Sequence, residues 1–432
     1  MRNFVWSKGR WKRNLALPWI ASAVVVAGSA IGIGVNTASA ATAPSGASIN
    51  IGLITILTGP AAFIGDTFLT GATTALTIIN QDGGVLGRPL KLIPVDDGGD
   101  PVDAVTQARQ MLAVDNVSGV LGLAAPDYPD ALPILNSAKM VSFTHIGNPS
   151  LDTQMMPYSF RSQPSDAVVG TAMAYYASLK KYKKVAIALD ATEGSQTLRQ
   201  PMLSALHLLG IKVLTSVTLP VSAGSYVAEI QKLMSSHPQA ILLQTSQTDQ
   251  AGTFGTEIQQ QGGGHIPVIG SDLTSSADWV KAVGNAYDQR EVTSITPSAS
   301  GGGGQGPFLK EYNLLYHKGP ENVAPNMYDS TNVIALAMDA AHSIDPKKYV
   351  KFITKVTTPG PGVTTVYTYQ EGLKLLKAGK QIKYFGVGSP MTFTKYHTVA
   401  GSFSAVKTSL TGATTVLNRL SAEKLSALLP GS

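Results

Sequence analysis

Short apolar segments alternate with amphipathic segments along most of the chain from residue 49 onward. Residues 49–57 form a continuous apolar run rich in β-branched side chains, which is typical of a strand buried on both faces. The segment that follows repeats its apolar side chains at helical spacing, at Leu69, Ala72, Leu76 and Ile79. Asp66 stands where it could cap this helix, and the glycine pair at 83–84 ends it. The pattern therefore predicts a strand followed by a helix.

The same alternation continues in two series separated by residues 157–166. Further strands are predicted at 90–95, 119–123, 141–143, 184–189, 212–219, 240–243 and 266–269. Further helices are predicted at 102–114, 198–209, 226–234, 250–261, 326–344 and 346–356. Strands that alternate with helices imply right-handed crossovers and parallel sheets covered on both faces. We therefore predict an α/β fold with two doubly wound parallel-sheet lobes and a ligand cleft at the strands' carboxyl ends.

The N-terminal segment, residues 1–40, follows a different pattern. It carries five basic residues and no acid, then an apolar run at 15–33, then the small residues Ala38, Ser39 and Ala40. This layout is typical of a secretory signal, so we expect export with cleavage after Ala40, and a flexible lead-in at 41–48. The alternative is an uncleaved membrane anchor, because the apolar run approaches the length of a spanning helix.

Composition narrows the classes of partner. The formal net charge of the chain is +6, but five positive charges lie within the segment 1–40, so no basic stripe remains for nucleic acid. Cysteine is absent, which excludes disulfides, thiolate metal sites and a lipid-modified cysteine. With 44% apolar residues, the chain can form a stable core without disulfides or metal sites. We expect a monomer that binds no nucleic acid.

The motifs of common catalytic sites are missing from the sequence. It contains no nucleophile elbow, no His-Glu-x-x-His, no Walker lysine and no Rossmann glycine triplet. Asp96, Asp97 and Asp100 could form a metal cluster, but Pro101 after them favours a loop whose acids cap the next helix. We therefore expect no metal and no cofactor, and a binding protein rather than an enzyme.

Five stretches, in order, resemble signatures of one family. They are "LTGPAAFIGD" from residue 57, "INQDGGVLGRPLKLIPVDDGGDP" from 79, "PYSFRSQPSDAVVG" from 157, "VAPNMYDSTNVIALAMDAA" from 323 and "YFGVGSPMTFTKYHTVAG" from 384. Together they resemble the branched-chain-amino-acid-binding (Leu/Ile/Val-binding) family of periplasmic solute-binding proteins of ABC importers. The resemblance covers residues 49–410.

This resemblance implies the type I periplasmic-binding fold, in which a three-strand hinge joins two lobes. Lobe 1 would comprise residues 49–163 and 296–400, and lobe 2 residues 164–295 and 401–410, followed by a C-terminal tail at 411–432. A small ligand would be trapped between the lobes by hinge closure, and the closed form would dock on a membrane permease.

The resemblance also implies site residues on lobe 1. The family's serine loop aligns with residues 122–127, so that Ala124 and Ala125 stand in a loop without its hydroxyls. Its threonine loop aligns with His145, Ile146 and Gly147, and Gly147 replaces the threonine. Backbone N–H groups of this loop could still donate. His145 is a new candidate donor, or else a polar loop residue facing solvent. The apolar wall would consist of Phe63, Ile64 and Tyr128.

On lobe 2, Glu193 aligns with one family tyrosine, and Ser246 or Gln247 with another. Asp272 aligns with the acid that pairs with the ligand's amino group; its alternative role is to cap a helix at 275–283. A ligand carboxylate buried without donors would cost several kcal/mol. The loss of hydroxyls beside a retained acid therefore indicates a small ligand that is neutral, amide-like or cationic, with an apolar body against Ile64 and Tyr128.

Two other functions remain open from the sequence. A membrane-tethered sensory receptor of the same fold would keep the N-terminal segment as an anchor. An enzyme on this scaffold would need a paired nucleophile and base in the cleft.

Overall fold

In the computed structural model, strands and helices alternate as the hydrophobic pattern predicts. The structure describes residues 43–59, 61–124, 128–221, 223–275, 279–280, 292–298, 303–321, 323–409 and 413–429. Residues Ala41–Ser432 form a compact unit of their own. The predicted signal segment and its cleavage position lie outside the described residues.

The strands are β1 (Ile49–Thr55), β2 (Leu90–Asp96), β3 (Val117–Gly122), β4 (Ser142–Thr144), β5 (Ser159–Arg161), β6 (Lys184–Asp190), β7 (Lys212–Leu219), β8 (Ala240–Gln244), β9 (Val268–Gly270), β10 (Val292–Pro297), β11 (Thr364–Val366), β12 (Ile382–Tyr384), β13 (Phe403–Thr408) and β14 (Thr414–Leu420). The helices are α1 (Ala62–Gln81), α2 (Pro101–Ala113), α3 (Tyr128–Ser137), α4 (Asp166–Leu179), α5 (Glu193–Thr197), α6 (Arg199–Leu208), α7 (Val227–Ser235), α8 (Thr248–Gln260), α9 (Gln305–Tyr316), α10 (Ala324–Ala341), α11 (Pro346–Lys355), α12 (Tyr369–Lys377) and α13 (Ala422–Ser426). Short 3₁₀ helices cover Pro149–Thr153 and Asp272–Ser275.

The first sheet is parallel, with the strand order β2-β1-β3-β4-β5. On one face it packs against α2 and α3 through a core that contains Met111, Leu132 and Leu135. On the other face, α1 and the later helices α9 to α12 form the largest core, around Phe68 and Tyr328. Helices thus cover both faces, as a buried parallel sheet requires.

The second sheet has the order β14-β13-β10-β9-β8-β6-β7. Helices α4, α6 and α13 cover one face, and α7 and α8 the other. Its first five strands in the chain are parallel, whereas β13 and β14 are antiparallel to their neighbours. Part of the segment 411–432, predicted to be a C-terminal tail, forms β14 and extends the sheet.

The helix starts show one wrong prediction and one that is confirmed. Asp66 does not cap α1, because this helix begins at Ala62 and its cap residue Ala61 makes no side-chain bond. Asp100 does cap α2, since its Oδ1 accepts the N–H groups of Val102 at 2.7 Å and Asp103 at 3.3 Å. The acids near Pro101 therefore shape a loop, as predicted.

Three segments of the chain pass between the two sheets. They follow β5, β10 and the loop at residues 398–402, and they are tied together by backbone bonds. Arg161 N donates to His397 O at 2.8 Å, and Ser298 N donates to Ser402 O at 2.9 Å. The buried guanidinium of Arg161 donates to Thr398 Oγ1 at 2.8 Å and pairs with Asp152. The lobe limits given above stay a prediction.

Asp329 fixes the loop before the third crossing to α10. Its fully buried carboxylate accepts bonds from Tyr384 OH at 2.9 Å, Val387 N at 2.8 Å and Gly388 N at 2.7 Å. Because both oxygens face donors, no position is left for an amide NH₂ group.

We expect Asp329→Asn to lower the free energy of unfolding by about 2 kcal/mol or more, because its NH₂ group would oppose a backbone N–H and leave it unpaired. Urea unfolding followed by circular dichroism measures this change. Asp103→Asn, at an exposed position, is the matched control and should shift the midpoint little. Equal midpoints for the Asp329 variant and wild type would contradict the assignment.

Candidate functional site

A cavity of about 490 Å³ lies where the crossing segments meet loops from both sheets. His145 enters it from the loop after β4, and Asp272 from the loop after β9. Gln163 of the first crossing, Glu321 and Asn326 belong to its polar lining, and Ile295, Phe308 and Val387 belong to its apolar lining. The structure therefore brings together two of the residues predicted from sequence. Their role in binding stays a prediction.

His145 presents a neutral ring to this cavity. Its edge packs on Phe68, with ring centroids 5.7 Å apart at 69°. Burial lowers the pKa of His145 to about 3, so the imidazole carries no charge at neutral pH. Its Nδ1 is buried and makes no hydrogen bond in the described part of the chain. A neutral imidazole offers one donor and one acceptor, and one of these positions is still available.

Gly147 closes this loop against the start of α4. Its carbonyl accepts the N–H of Asp166 at 2.7 Å. A Cβ at position 147 would stand 1.9 Å from Asp166 Oδ1, so the carboxylate fills the space that a side chain would need. The resemblance implied a threonine at this position, and in the structure an acid at the start of α4 occupies the space of such a side chain.

The sequence motifs did not single out Asp166, although it lies in the quoted stretch from residue 157. Thr197 Oγ1 donates to its Oδ2 at 3.1 Å, and Gln163 Nε2 approaches its Oδ1 at 3.4 Å. Burial raises the pKa of Asp166 to about 6, and the negative charges of Asp152 and Asp272 act in the same direction. The acid therefore titrates just below neutral pH.

The other candidates on lobe 2 lie on its loops. Glu193 is exposed at the start of α5 and accepts a bond from Asn148 Nδ2 at 2.9 Å, which links loops on either side of the first crossing. Gln247 is exposed just before α8, and Ser246 N donates to the buried carboxylate of Asp190. These three residues are absent from the described lining of the cavity.

On lobe 1, the structure separates the predicted wall residues. Phe63 is 57% exposed, whereas Ile64 packs against the core of the first sheet. Ile146 and Ala124 are buried in core clusters, so the side chain of Ile146 is not available to a ligand. Ala125 and the side chain of Tyr128 lie outside the described residues.

Asp272 is the first residue of its 3₁₀ helix and is partly exposed. Most of the helix that it was alternatively expected to cap, at 275–283, lies outside the described residues. Of the charged residues in the described cavity lining, Asp272 and Glu321 are acids and none is a lysine or arginine. The cavity thus disfavours anions.

The lining residues that were not predicted from the sequence include the polar side chains of Gln163, Glu321 and Asn326. The side chain of Asn326 donates to Ser162 O at 2.8 Å, and Glu321 accepts from Thr67 Oγ1 at 3.1 Å. Both bonds join segments that are far apart in the sequence, so no local pattern indicates them. Gln163 and Asn326 lie within the stretches quoted from residues 157 and 323. Their position in these stretches was the signal in the sequence that could have indicated them.

We expect Gly147→Ala to destabilise the protein by about 1–3 kcal/mol, because the new methyl group overlaps the Asp166 carboxylate. Asp166→Ala removes that obstacle, so the double variant should lose less than the sum of the two single variants. Chemical unfolding of the four proteins measures the coupling. Strict additivity would show that the two residues do not compete for this space.

The pH dependence of stability should report Asp166. Its pKa in the folded protein, about 6, lies above the ordinary value of 3.8, so between these values the unfolded chain binds fewer protons. Its contribution to stability therefore falls as pH rises from about 4 to 6, by up to about 3 kcal/mol. Urea unfolding at pH 4.5 and pH 7 should show a smaller decrease for Asp166→Asn than for wild type. Asp130→Asn, at an exposed position, is the control and should show the same decrease as wild type. An equal decrease in Asp166→Asn and wild type would contradict the raised pKa of Asp166.

Comparisons with known proteins agree with the arrangement of the sheets. A sequence profile of the family described as "Periplasmic binding protein" matches residues 48–375. "Leu/Ile/Val-binding protein homolog 3" from Brucella melitensis is 26% identical over 309 residues, covering 69% of this chain and 81% of that protein. A "Leucine-, isoleucine-, valine-, threonine-, and alanine-binding protein" from Pseudomonas aeruginosa is 25% identical over 327 residues, covering 73% and 84%.

A solved structure supports the fold. The leucine binding protein LivK from Thermotoga maritima superposes with a TM-score of 0.71 at 19% identity, covering 87% of this chain and 99% of that one. The type I periplasmic-binding fold and the resemblance to the Leu/Ile/Val-binding proteins are thereby confirmed. Since the profile spans most of the sequence, the chain belongs to the periplasmic binding protein family, and it is an extracytoplasmic solute-binding protein rather than an enzyme.

Proposed function

We propose that this protein captures a small neutral, amide-like or cationic organic ligand between its two lobes and delivers it to the permease of an ABC importer. The observation that carries the proposal is the charge of the cavity. Its described lining holds Asp272, Glu321 and a neutral His145, with no lysine or arginine. A ligand carboxylate would be desolvated there without a cationic partner.

The similarity to proteins named for leucine, isoleucine and valine supports a ligand of amino-acid size. Those relatives do not fix the chemical class here. Gly147 lacks a hydroxyl, and the Asp166 carboxylate stands against it, which adds negative charge beside the loop. The features that bear on the ligand's head group therefore favour an ammonium or amide over a carboxylate.

Three compounds of similar shape separate these possibilities: leucine, leucinamide and 4-methylpentanoate. Leucinamide has an ammonium and no carboxylate, whereas 4-methylpentanoate has only the carboxylate. We expect isothermal titration calorimetry to show leucinamide as the tightest of the three and 4-methylpentanoate as the weakest. Nanomolar binding of leucine would overturn the proposed ligand class while leaving the solute-binding function intact.

Asp272→Asn should weaken binding of the preferred cation about 10- to 100-fold, because a hydrogen bond to a charged group contributes about 1.5–3 kcal/mol. Asp130→Asn, which changes an acid at the start of α3, is the matched control and should leave affinity unchanged. An unaffected affinity in Asp272→Asn would remove this residue from the site.

Export and cleavage are part of the same proposal. Mass spectrometry of the protein isolated from its host should find a mature N-terminus at Ala41. A chain that retains residues 1–40 would instead favour the membrane-tethered form.

A further inference from the structure

Helix α11 presents lysines along one side and buries the opposite side. Lys347, Lys348, Lys351 and Lys355 are exposed, whereas Tyr349 and Ile353 are fully buried. At 3.6 residues per turn, these four lysines fall within an arc of about 100°. Burying Tyr349 and Ile353 does not by itself require the exposed positions of the helix to be lysines.

A fifth lysine and two aromatic rings extend this side of the helix. Tyr384 N donates to Val356 O at 2.6 Å, which joins the end of β12 to the end of α11. The Nζ of Lys355 lies 4.7 Å from the ring centroid of Phe352, and the Nζ of Lys383 lies 4.9 Å from that of Phe385. We call this surface the basic face: Lys347, Lys348, Lys351, Lys355 and Lys383 with Phe352 and Phe385.

The basic face has little neutralising charge close to it. Between residues 345 and 383 the sequence holds eight lysines, and its two acids are Asp345 and Glu371. Both acids accept backbone bonds, from Lys347 N at 3.0 Å and from Tyr367 N at 2.8 Å. The ion pairs formed among the described residues involve Arg161 and Lys318, and no lysine of the basic face.

The charge of the chain is therefore strongly asymmetric. The net charge is +6, to which the segment 1–40 contributes five and the segment 345–383 six, so the remaining sequence is net negative. Within Ala41–Ser432, the segment 345–383 thus carries a net charge of +6, whereas the rest of this unit is net negative. Such a concentration steers binding to a polyanion.

We propose that the basic face docks this protein on a membrane surface that contains anionic phospholipids. Lysines flanking partly buried aromatic rings are typical of membrane-surface binding, because the ammonium groups reach lipid phosphates while the rings sit at the interface. Family membership places the protein outside the cytoplasm. There, the anionic surface next to a membrane transporter is the membrane itself, so we infer a membrane partner rather than nucleic acid. The inference does not depend on the identity of the small ligand.

The test uses the segment 41–432, which forms a compact unit, so that the basic and apolar N-terminal segment cannot bind vesicles itself. The probe is a sedimentation assay with vesicles of phosphatidylcholine alone or with phosphatidylglycerol added. We expect binding to the anionic vesicles only, with a decrease as salt is raised. K347Q/K348Q/K351Q/K355Q should weaken this binding by about tenfold or more.

The chain supplies a matched control in a second lysine cluster, on the second lobe. Lys180, Lys181, Lys183 and Lys184 are also exposed, so K180Q/K181Q/K183Q/K184Q removes the same charge from another surface. We expect this control to change binding less than twofold. Circular dichroism and affinity for the small ligand should match wild type in both variants.

Three outcomes would overturn the proposal. They are no binding to anionic vesicles, an equal loss in the two lysine variants, and binding to a soluble polyanion such as heparin without binding to vesicles. The last outcome would assign the basic face to an acidic macromolecule instead.

Discussion

The buried guanidinium of Arg161 holds together the place where the chain passes between its two sheets. It lies at the end of β5, donates to Thr398 on the third crossing, and pairs with Asp152 in the 3₁₀ helix that precedes β5. A buried arginine is tolerated only when its donors are satisfied, so these partners must stay in place. The first and third crossings are therefore fixed to each other at this point.

The cavity lies directly beside this fixed point, which explains its mixture of residues. Loops from both sheets reach it, so His145 and Asp272 meet although they are far apart in the sequence. Burial leaves His145 uncharged and keeps Asp166 partly protonated near pH 6, because it lowers the pKa of the imidazole and raises that of the acid. The cavity thus combines hydrogen-bonding groups with acidic residues, which supports the proposed ligand without a free carboxylate.

The hydrophobic pattern predicted the fold well because each buried strand and each amphipathic helix carries a local signal. Strand β7, for example, occupies the residues 212–219 predicted for it. Strand β14 gave no such signal: its residues up to Arg419 are exposed, so apolar and polar positions do not alternate. Asp66 looked like a cap because an acid preceded an apolar run, but α1 already begins at Ala62.

The candidate site was only partly predictable from the sequence, because some of its contacts leave no local signal. His145 and Asp272 could be named because the resemblance aligns their loops with ligand-contacting loops of the family, although neither residue lies in the five quoted stretches. Asp166 could not, since its importance comes from the 1.9 Å approach to a missing side chain at Gly147, across the crossing.

The late position of β13 in the sequence has a consequence for how the chain matures. This strand pairs with β10, which lies far earlier in the chain, and separates it from β14. The second sheet therefore cannot be completed until almost the entire polypeptide has been synthesised. Pairings between such distant segments form slowly. For a protein that its family places outside the cytoplasm, late completion of this sheet is compatible with final assembly after the chain has crossed the membrane.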